Sequence, residues 1–368
     1  MELSFRTVQQ FTRLQQEAVM PKRSGANHAV LGLGVFAALT VGYSHHSLGQ
    51  TGSAAPKVAF SSTELSNPYT VIFSQLIQSW AKRGGFNMLP TVDSKSDPAQ
   101  QITDFTTLLG AGVKGILVVA VDGKAIKVAL DRAEAKGVPV VAVDTGPSKG
   151  GGKVAITVTT SSITLGQRSC EYLGEALKGK GKILEIQGRL NSQVGLDRSN
   201  GFQNCMKAKY PDIKVVSKPG EWVQEKATDA VQTVLSTDPE VNAIYLASDS
   251  AYLPGTLSVL QRLGRLKAVG EQGHVTIVGI DGSPFALEQV RAGYVDAVIA
   301  QPMVGYAQYG LQYLKEAMEG KTFKVGPTDH NSEIIVDASG NLADVLSPTT
   351  VTKANASDAG LWGNQKTN

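Results

Sequence analysis

One feature limits what this chain can fold into more than any other: from Lys57 onward, short apolar runs alternate with longer stretches of helical periodicity. A run-and-turn unit within that alternation recurs, reading VAVDTGP from Val141 to Pro147 and VGIDGSP from Val278 to Pro284. Such alternation is the sequence form of βαβ units on a parallel sheet. Strands that are apolar throughout belong in a sheet with helices on both faces. The first half reads as strand 58–61, helix 69–83, strand 87–92, a helix opened by the Asp97-Pro98 cap, strand 115–120, helix 124–136 and strand 139–143. After the glycines 150–152 and a polar cluster at 157–164 the pattern restarts. It runs through helix 165–177, strand 183–186, helix 195–210, strand 213–217, helix 224–235, strand 243–246, helix 252–263, strand 275–280, helix 285–291, strand 295–300 and helix 303–318. A chain of 368 residues is long enough for two cores, so the expected fold class is α/β, with two doubly wound parallel-sheet lobes.

In open parallel sheets, ligands bind outside the carboxyl ends of the strands. Asp144 and Asp281 both stand at that edge. An aspartate after a strand often only forms a turn or caps a helix. Its recurrence in the same setting points further, to two walls of one cleft with an acidic acceptor on each.

The charge balance excludes some partners. Residues 56–368 carry 31 Lys+Arg against 30 Asp+Glu, which leaves no basic footprint for nucleic acid or an anionic membrane. The N-terminal segment differs: Lys22 and Arg23 precede the apolar run Ala29 to Val41, and small and polar residues follow as far as Pro56. A basic start, an apolar run too short to span a bilayer comfortably and a small-residue tail predict a secretory signal peptide within residues 1–55; a membrane anchor is the alternative. Met20, just ahead of the basic pair, is an alternative start. In an oxidising compartment Cys170 and Cys205 either form a disulfide or stay two buried thiols, and both options remain open.

No catalytic constellation stands out. Gly174 to Gly181 has G-x-x-x-x-G-K spacing but lacks the following Ser or Thr, and it runs from helix to strand, the reverse of a phosphate loop. His274 and His330 lie far apart without zinc-ligand spacing, and no G-x-S-x-G elbow occurs. The expectation is a non-enzyme with no cofactor and no metal.

The motifs SNPY (Ser66 to Tyr69), VDTGP at Asp144, DRSNGF (Asp197 to Phe202), ASDS (Ala247 to Ser250), GIDGSP at Asp281 and IAQP (Ile299 to Pro302) follow one another in a familiar order. Through them the chain, from about Lys57 to Pro327, resembles the periplasmic sugar-binding proteins of ATP-driven importers, the ribose-binding type. That resemblance implies the type I periplasmic binding fold, with a three-segment hinge near 159–162, 300–302 and 325–328. The implied lobes are residues 56–160 with 302–326 and residues 161–301 with 327–345, leaving 346–368 as an irregular tail. The same lobes also serve transcription regulators, but those need a basic helix-turn-helix where this chain has its apolar run.

Carried over motif by motif, the resemblance makes Asn67, Asp144, Arg198, Asp281 and Gln301 hydrogen-bonding ligands of a sugar, with Ser248 beside them and the rings of Tyr69 and Trp222 covering its C–H faces. The chemistry fits, because each sugar hydroxyl both donates and accepts and is best held by charged, planar groups, while its apolar faces suit aromatic rings. Such charges are costly to bury alone, so closure is expected to follow ligand. Ribose-type members commonly have Asp-Arg at Asp144-Thr145, a second aromatic at Thr70 and Asn-Asp at Ser248-Asp249. Each change puts a smaller group here, which favours a bulkier or differently oriented sugar, or a polyol, over ribose. The expected partners are that small molecule, the membrane permease of an ABC importer and, as a further reader of the closed form, a chemoreceptor. The protein is expected to be periplasmic and monomeric; the alternative is a receptor for a non-sugar signal molecule reporting to a membrane receptor.

Overall fold

The computed structural model describes residues 54–365, so the signal peptide predicted within 1–55 lies outside the described residues except for its last two positions. Among the described residues no helix is long and apolar enough to cross a membrane. The chain opens with β1 (Lys57–Ser62), α1 (Pro68–Arg83), β2 (Asn87–Met88), β3 (Val92–Asp93), α2 (Pro98–Gly110), β4 (Gly115–Val118), α3 (Lys127–Ala135), β5 (Val140–Val143) and β6 (Thr157–Thr159). It continues with α4 (Ser162–Ala176), β7 (Gly181–Gln187), α5 (Gln193–Lys209), β8 (Ile213–Pro219), α6 (Gln224–Thr237), β9 (Ala243–Leu246), α7 (Asp249–Arg262), β10 (Thr276–Asp281), α8 (Pro284–Ala292) and β11 (Ala297–Ala300). Then come α9 (Met303–Met318), β12 (Gly326–Pro327), β13 (Glu333–Val336), β14 (Leu342–Val345), β15 (Thr349–Val351) and a short 3-10 turn, Trp362–Asn364.

Local chemistry sets the element starts. Asn67 and Asp97 each precede a helix-opening proline, and their side chains accept the N–H of Tyr69 at 2.9 Å and of Ala99 at 2.8 Å, satisfying donors the helix leaves free. The expected strand 87–92 is instead two short pieces, β2 and β3, because Pro90 between them has no N–H for the ladder. The β-branched Thr157-Val158-Thr159, at the start of the polar cluster 157–164, forms β6 beside β5.

The two sheets share one winding. The first runs β12-β13-β14-β6-β5-β4-β1-β2, with β3 also on β1, and the second runs β15-β11-β10-β9-β7-β8. Without the flanking β12–β14 and β15, each has its opening strand second from one edge, the doubly wound order. Strands β5 and β10 are therefore equivalent, and their carboxyl ends carry Asp144 and Asp281.

The chain passes from the first sheet to the second between β6 and α4, and returns after β11 into α9, which packs on α1, β4 and β5. Residues 327–345, expected in the second lobe, belong to the first. There β14 runs parallel to β6, pairing Ala343 with Thr157 and Val345 with Thr159, and β13 turns back antiparallel to β14. The physical reason is the open edge of β6, whose unpaired backbone groups β14 satisfies. The third crossing consequently lies at 346–348, not near 325–328. The segment 346–368, expected to be irregular, contributes β15 antiparallel to β11. A disulfide between Cys170 and Cys205 joins α4 to α5.

Candidate ligand-binding site

At the ends of β5 and β10 the backbone breaks sharply. Asp144 has φ +64° and Asp281 φ +126°, both in the region that favours glycine, though Asp tolerates it better than most residues. A φ like that of Asp281 costs on the order of 1–3 kcal/mol and persists only where neighbours hold it. Here the buried carboxylate of Asp249 does so, accepting the N–H of Gly282 at 2.7 Å and of Ser283 at 3.1 Å. Burial, together with the charge of Asp281, raises the Asp249 pKa against the pull of those hydrogen bonds.

The carboxylate of Asp281 is 2% exposed and fully engaged within the second lobe. Its Oδ1 accepts from Gln301 Nε2 at 2.8 Å and from Arg198 Nη1 at 3.4 Å, and its Oδ2 accepts from Ser248 Oγ at 2.6 Å. Ser248 also caps α7 by accepting the N–H of Ala251 at 3.2 Å. Arg198 reaches this point from α5 and donates from Nη1 to the Ala247 carbonyl at 2.6 Å, while its buried Nε has no partner among the described residues. Its guanidinium lies 5.6 Å from the Trp222 ring centre. Trp222 is itself fixed: it has φ +64°, donates its backbone N–H to Tyr252 Oη at 2.7 Å and stacks on the Tyr252 ring at 6.3 Å. The indole lies against Gly188, where a Cβ would come within 2.1 Å of it, so glycine at the end of β7 makes the room.

From the first lobe, Asn67 uses its oxygen to cap α1, which leaves its amide N–H groups unused by that cap. The Tyr69 hydroxyl is buried without a hydrogen bond of good geometry, and burial, followed by the neighbouring Asp144, raises its pKa well above the usual value. Asp144 is half-buried, and among the described residues no side chain makes a hydrogen bond of good geometry to its carboxylate; its backbone carbonyl is held by Thr159 Oγ1 at 2.7 Å. Burial pushes its carboxyl up to about 6, opposed by Arg198 and by the Tyr69 hydroxyl and reinforced by Asp281. For Arg198, burial opposes the charge, but Asp281 and then Asp144 outweigh it and raise its pKa. One guanidinium is therefore paired with the carboxylate of its own lobe and feels the charge of the carboxylate on the other.

The structure thus brings Tyr69, Asp144, Arg198, Ser248, Asp281 and Gln301 into one interlobe cluster, with Trp222 over Arg198 and Asn67 at the start of α1. Three neighbours are not foreseen from the sequence: Asp249, Tyr306 and Trp362. Asp249 lies inside the ASDS motif, where the Asp-to-N–H turn geometry is a usable signal. Tyr306 on α9 is fully buried, senses Asp144 and Asp281, and lies 3.5 Å from Gln301 Oε1 through its hydroxyl. It sits on a helical apolar face that looks like ordinary core. Tyr69, expected to stack on a sugar, packs its ring at a tilt on Phe73 and edge-on against Trp362.

Comparison with known proteins agrees with this architecture. Residues 58–322 match the family described as periplasmic binding protein domain. The chain is 30% identical over 300 residues to the D-allose-binding periplasmic protein of Escherichia coli (strain K12), covering 79% of this chain and 93% of that relative. It is 25% identical over 266 residues to the ribose import binding protein of Bacillus subtilis (strain 168), covering 72% and 82%. The crystal structure of an ABC transporter periplasmic solute-binding protein of Actinobacillus succinogenes 130z with bound D-allose shares the fold, with a TM-score of 0.72 at 22% identity over 82% of this chain and 99% of that one. Taken with the twin doubly wound sheets, these matches establish that the chain belongs to the periplasmic binding protein family and has the type I fold of its solved members.

Proposed function

We propose that this protein is an exported, monomeric receptor that captures a monosaccharide or polyol between its lobes and presents the closed form to the permease of an ABC importer. One observation carries the reading: the Arg198 guanidinium pairs with Asp281 of its own lobe at 3.4 Å and is within electrostatic reach of Asp144 of the other, and unpartnered polar atoms of Arg198 and Tyr69 are buried in the same cluster. Unpartnered buried polar atoms are costly, and a polyhydroxylated guest supplies donors and acceptors to all of them. In this reading Asp144 accepts from the sugar and Arg198 Nε donates to it, with the Asn67 amide and the Tyr69 hydroxyl at the first-lobe wall. Trp222 gives an apolar face, Asp281 and the Ala247 carbonyl hold the guanidinium in place, and Ser248 and Gln301, which donate to Asp281, complete the second-lobe wall. The work is binding, not catalysis. Relatives named for D-allose, ribose and xylitol, and related folds solved with D-allose and myo-inositol, support a carbohydrate guest. Signalling through a membrane chemoreceptor is a second use of the same closed form.

A thermal-shift screen tests this reading. A ligand at a hundred times its dissociation constant adds about 2.7 kcal/mol, which at about 2–4 °C per kcal/mol raises the midpoint by roughly 5–10 °C. D-allose, D-ribose, xylitol and myo-inositol are the first probes, with an amino acid and a nucleoside as controls. A shift with a control and none with any sugar or polyol would overturn the reading.

A further inference from the structure

The chain beyond the last crossing forms a bracket on the second lobe. β15 extends the second sheet, and Val351, Ala356 and Leu361 are buried in that lobe's core. Arg291, in the last turn of α8, donates from Nη1 to the Ala356 carbonyl at 2.8 Å and to Asn364 Oδ1 at 3.2 Å. Gly363 passes so close to the turn after β10 that a Cβ there would meet the Gly282 carbonyl oxygen at 2.4 Å. Glycine is what allows that approach. The backbone of this segment therefore moves with the second lobe.

The Trp362 side chain does not stay there. The residue is 2% exposed, and its Nε1 donates to the backbone carbonyl of Asp281 at 2.6 Å, directly behind the carboxylate that holds Arg198. Its ring packs into the apolar cluster of the first lobe, meeting Tyr69 of α1 at 5.8 Å and 86°, an edge-to-face contact. One indole is thus bonded to the second-lobe aspartate's own backbone and seated on the first lobe's aromatic residue.

We propose that Trp362 is a strap residue of the ligand cleft: carried by the C-terminal bracket, it docks on Tyr69 when the lobes come together, stabilises the closed form and builds part of the cleft wall. The ligand-affinity side of this proposal rests on the sugar-binding reading. Hinge rotation that opens the cleft draws α1 away from the bracket and parts the two rings. A contact made only in the closed form raises the population competent to hold ligand and so tightens apparent affinity.

The test uses the whole protein and the variants Trp362→Ala and Trp362→Phe. Small-angle scattering without sugar reads the share of molecules that close before ligand arrives, and calorimetric titration with D-allose, D-ribose, xylitol and myo-inositol reads affinity. The expected result for Trp362→Ala is a larger radius of gyration than the parent, and a dissociation constant raised about tenfold or more for whichever probe binds. Trp362→Phe, which keeps a ring but loses the N–H bond, should fall between the two and guards against simple misfolding. An unchanged radius of gyration together with unchanged affinity in Trp362→Ala overturns the proposal, as does a weakening matched by an equal loss of unliganded stability in both variants. If none of these probes binds the parent, the strap is judged on scattering alone: a more expanded Trp362→Ala supports it, and identical curves overturn it.

Discussion

Asp281 is not a residue that serves only a ligand, and removing it has a calculable cost. In Asp281→Ala, Arg198 remains buried at 4% exposure with its own-lobe counter-charge gone, and Ser248 Oγ and Gln301 Nε2 lose the acceptor they share at 2.6 and 2.8 Å. Breaking a buried ion pair by deleting one partner costs about 3–5 kcal/mol. The orphaned donors each threaten about 1–3 kcal/mol more, but the three losses belong to one network and do not add. At about 2–4 °C per kcal/mol, a loss of about 3–5 kcal/mol lowers the melting midpoint of the sugar-free protein by roughly 6–20 °C. Asp281→Asn keeps an acceptor oxygen and should lose less. Calorimetric or circular-dichroism melts of the parent and both variants, without sugar, read this directly. A midpoint for Asp281→Ala within about 2 °C of the parent would mean that the Arg198 charge is compensated by something else and that this network is misassigned.

Other outcomes follow from the same geometry. Asp144→Asn should not lower the sugar-free midpoint and above about pH 6 should raise it, since Asn tolerates φ +64° and removes a carboxylate whose charge burial disfavours; sugar affinity should fall about ten- to hundredfold for the lost charge-assisted bond, and titration showing parental affinity contradicts it. Burial lifts the Asp144 carboxyl from 3.8 to about 6, so between those values the native state holds a proton that the unfolded chain has released. This group therefore favours the native state as pH falls through that window and penalises it above, while sugar binding, which uses the ionised acceptor, weakens as pH falls below about 6. Titrations at about pH 5 and about pH 7.5 should show that loss in the parent and not in Asp144→Asn; equal affinity at both pH values refutes the assignment. The disulfide closes a loop of sequence separation 35, which on a chain-entropy estimate is worth about 3–4 kcal/mol; Cys170→Ser should melt correspondingly lower, and an unchanged melt would show that the bridge adds no stability.

Much of the fold was legible because its signals are local. The apolar strands, the Asp97 cap and the two aspartates at strand ends are written in short stretches of sequence. Membership of a sheet is not local. Residues 327–345 read from the sequence as part of the second lobe, whereas the open edge of β6 decides that β14 pairs in the first. The site divides the same way. Charged residues at strand ends and in short motifs could be named, but how their hydrogen bonds are shared could not: Ser248 and Gln301 turn toward Asp281, and the Tyr69 ring meets an indole 293 positions along the chain. Trp362 was invisible for a further reason. It follows a run of small and polar residues without periodicity, and its role depends entirely on what the bracket packs against.

The most direct test of the central claim is a crystal structure grown with the tightest-binding sugar of the panel. The account predicts one sugar between the lobes, with hydroxyls within hydrogen-bonding distance of Asp144 on one side and Arg198 on the other. A sugar touching one lobe alone, or lodged away from both residues, would contradict it.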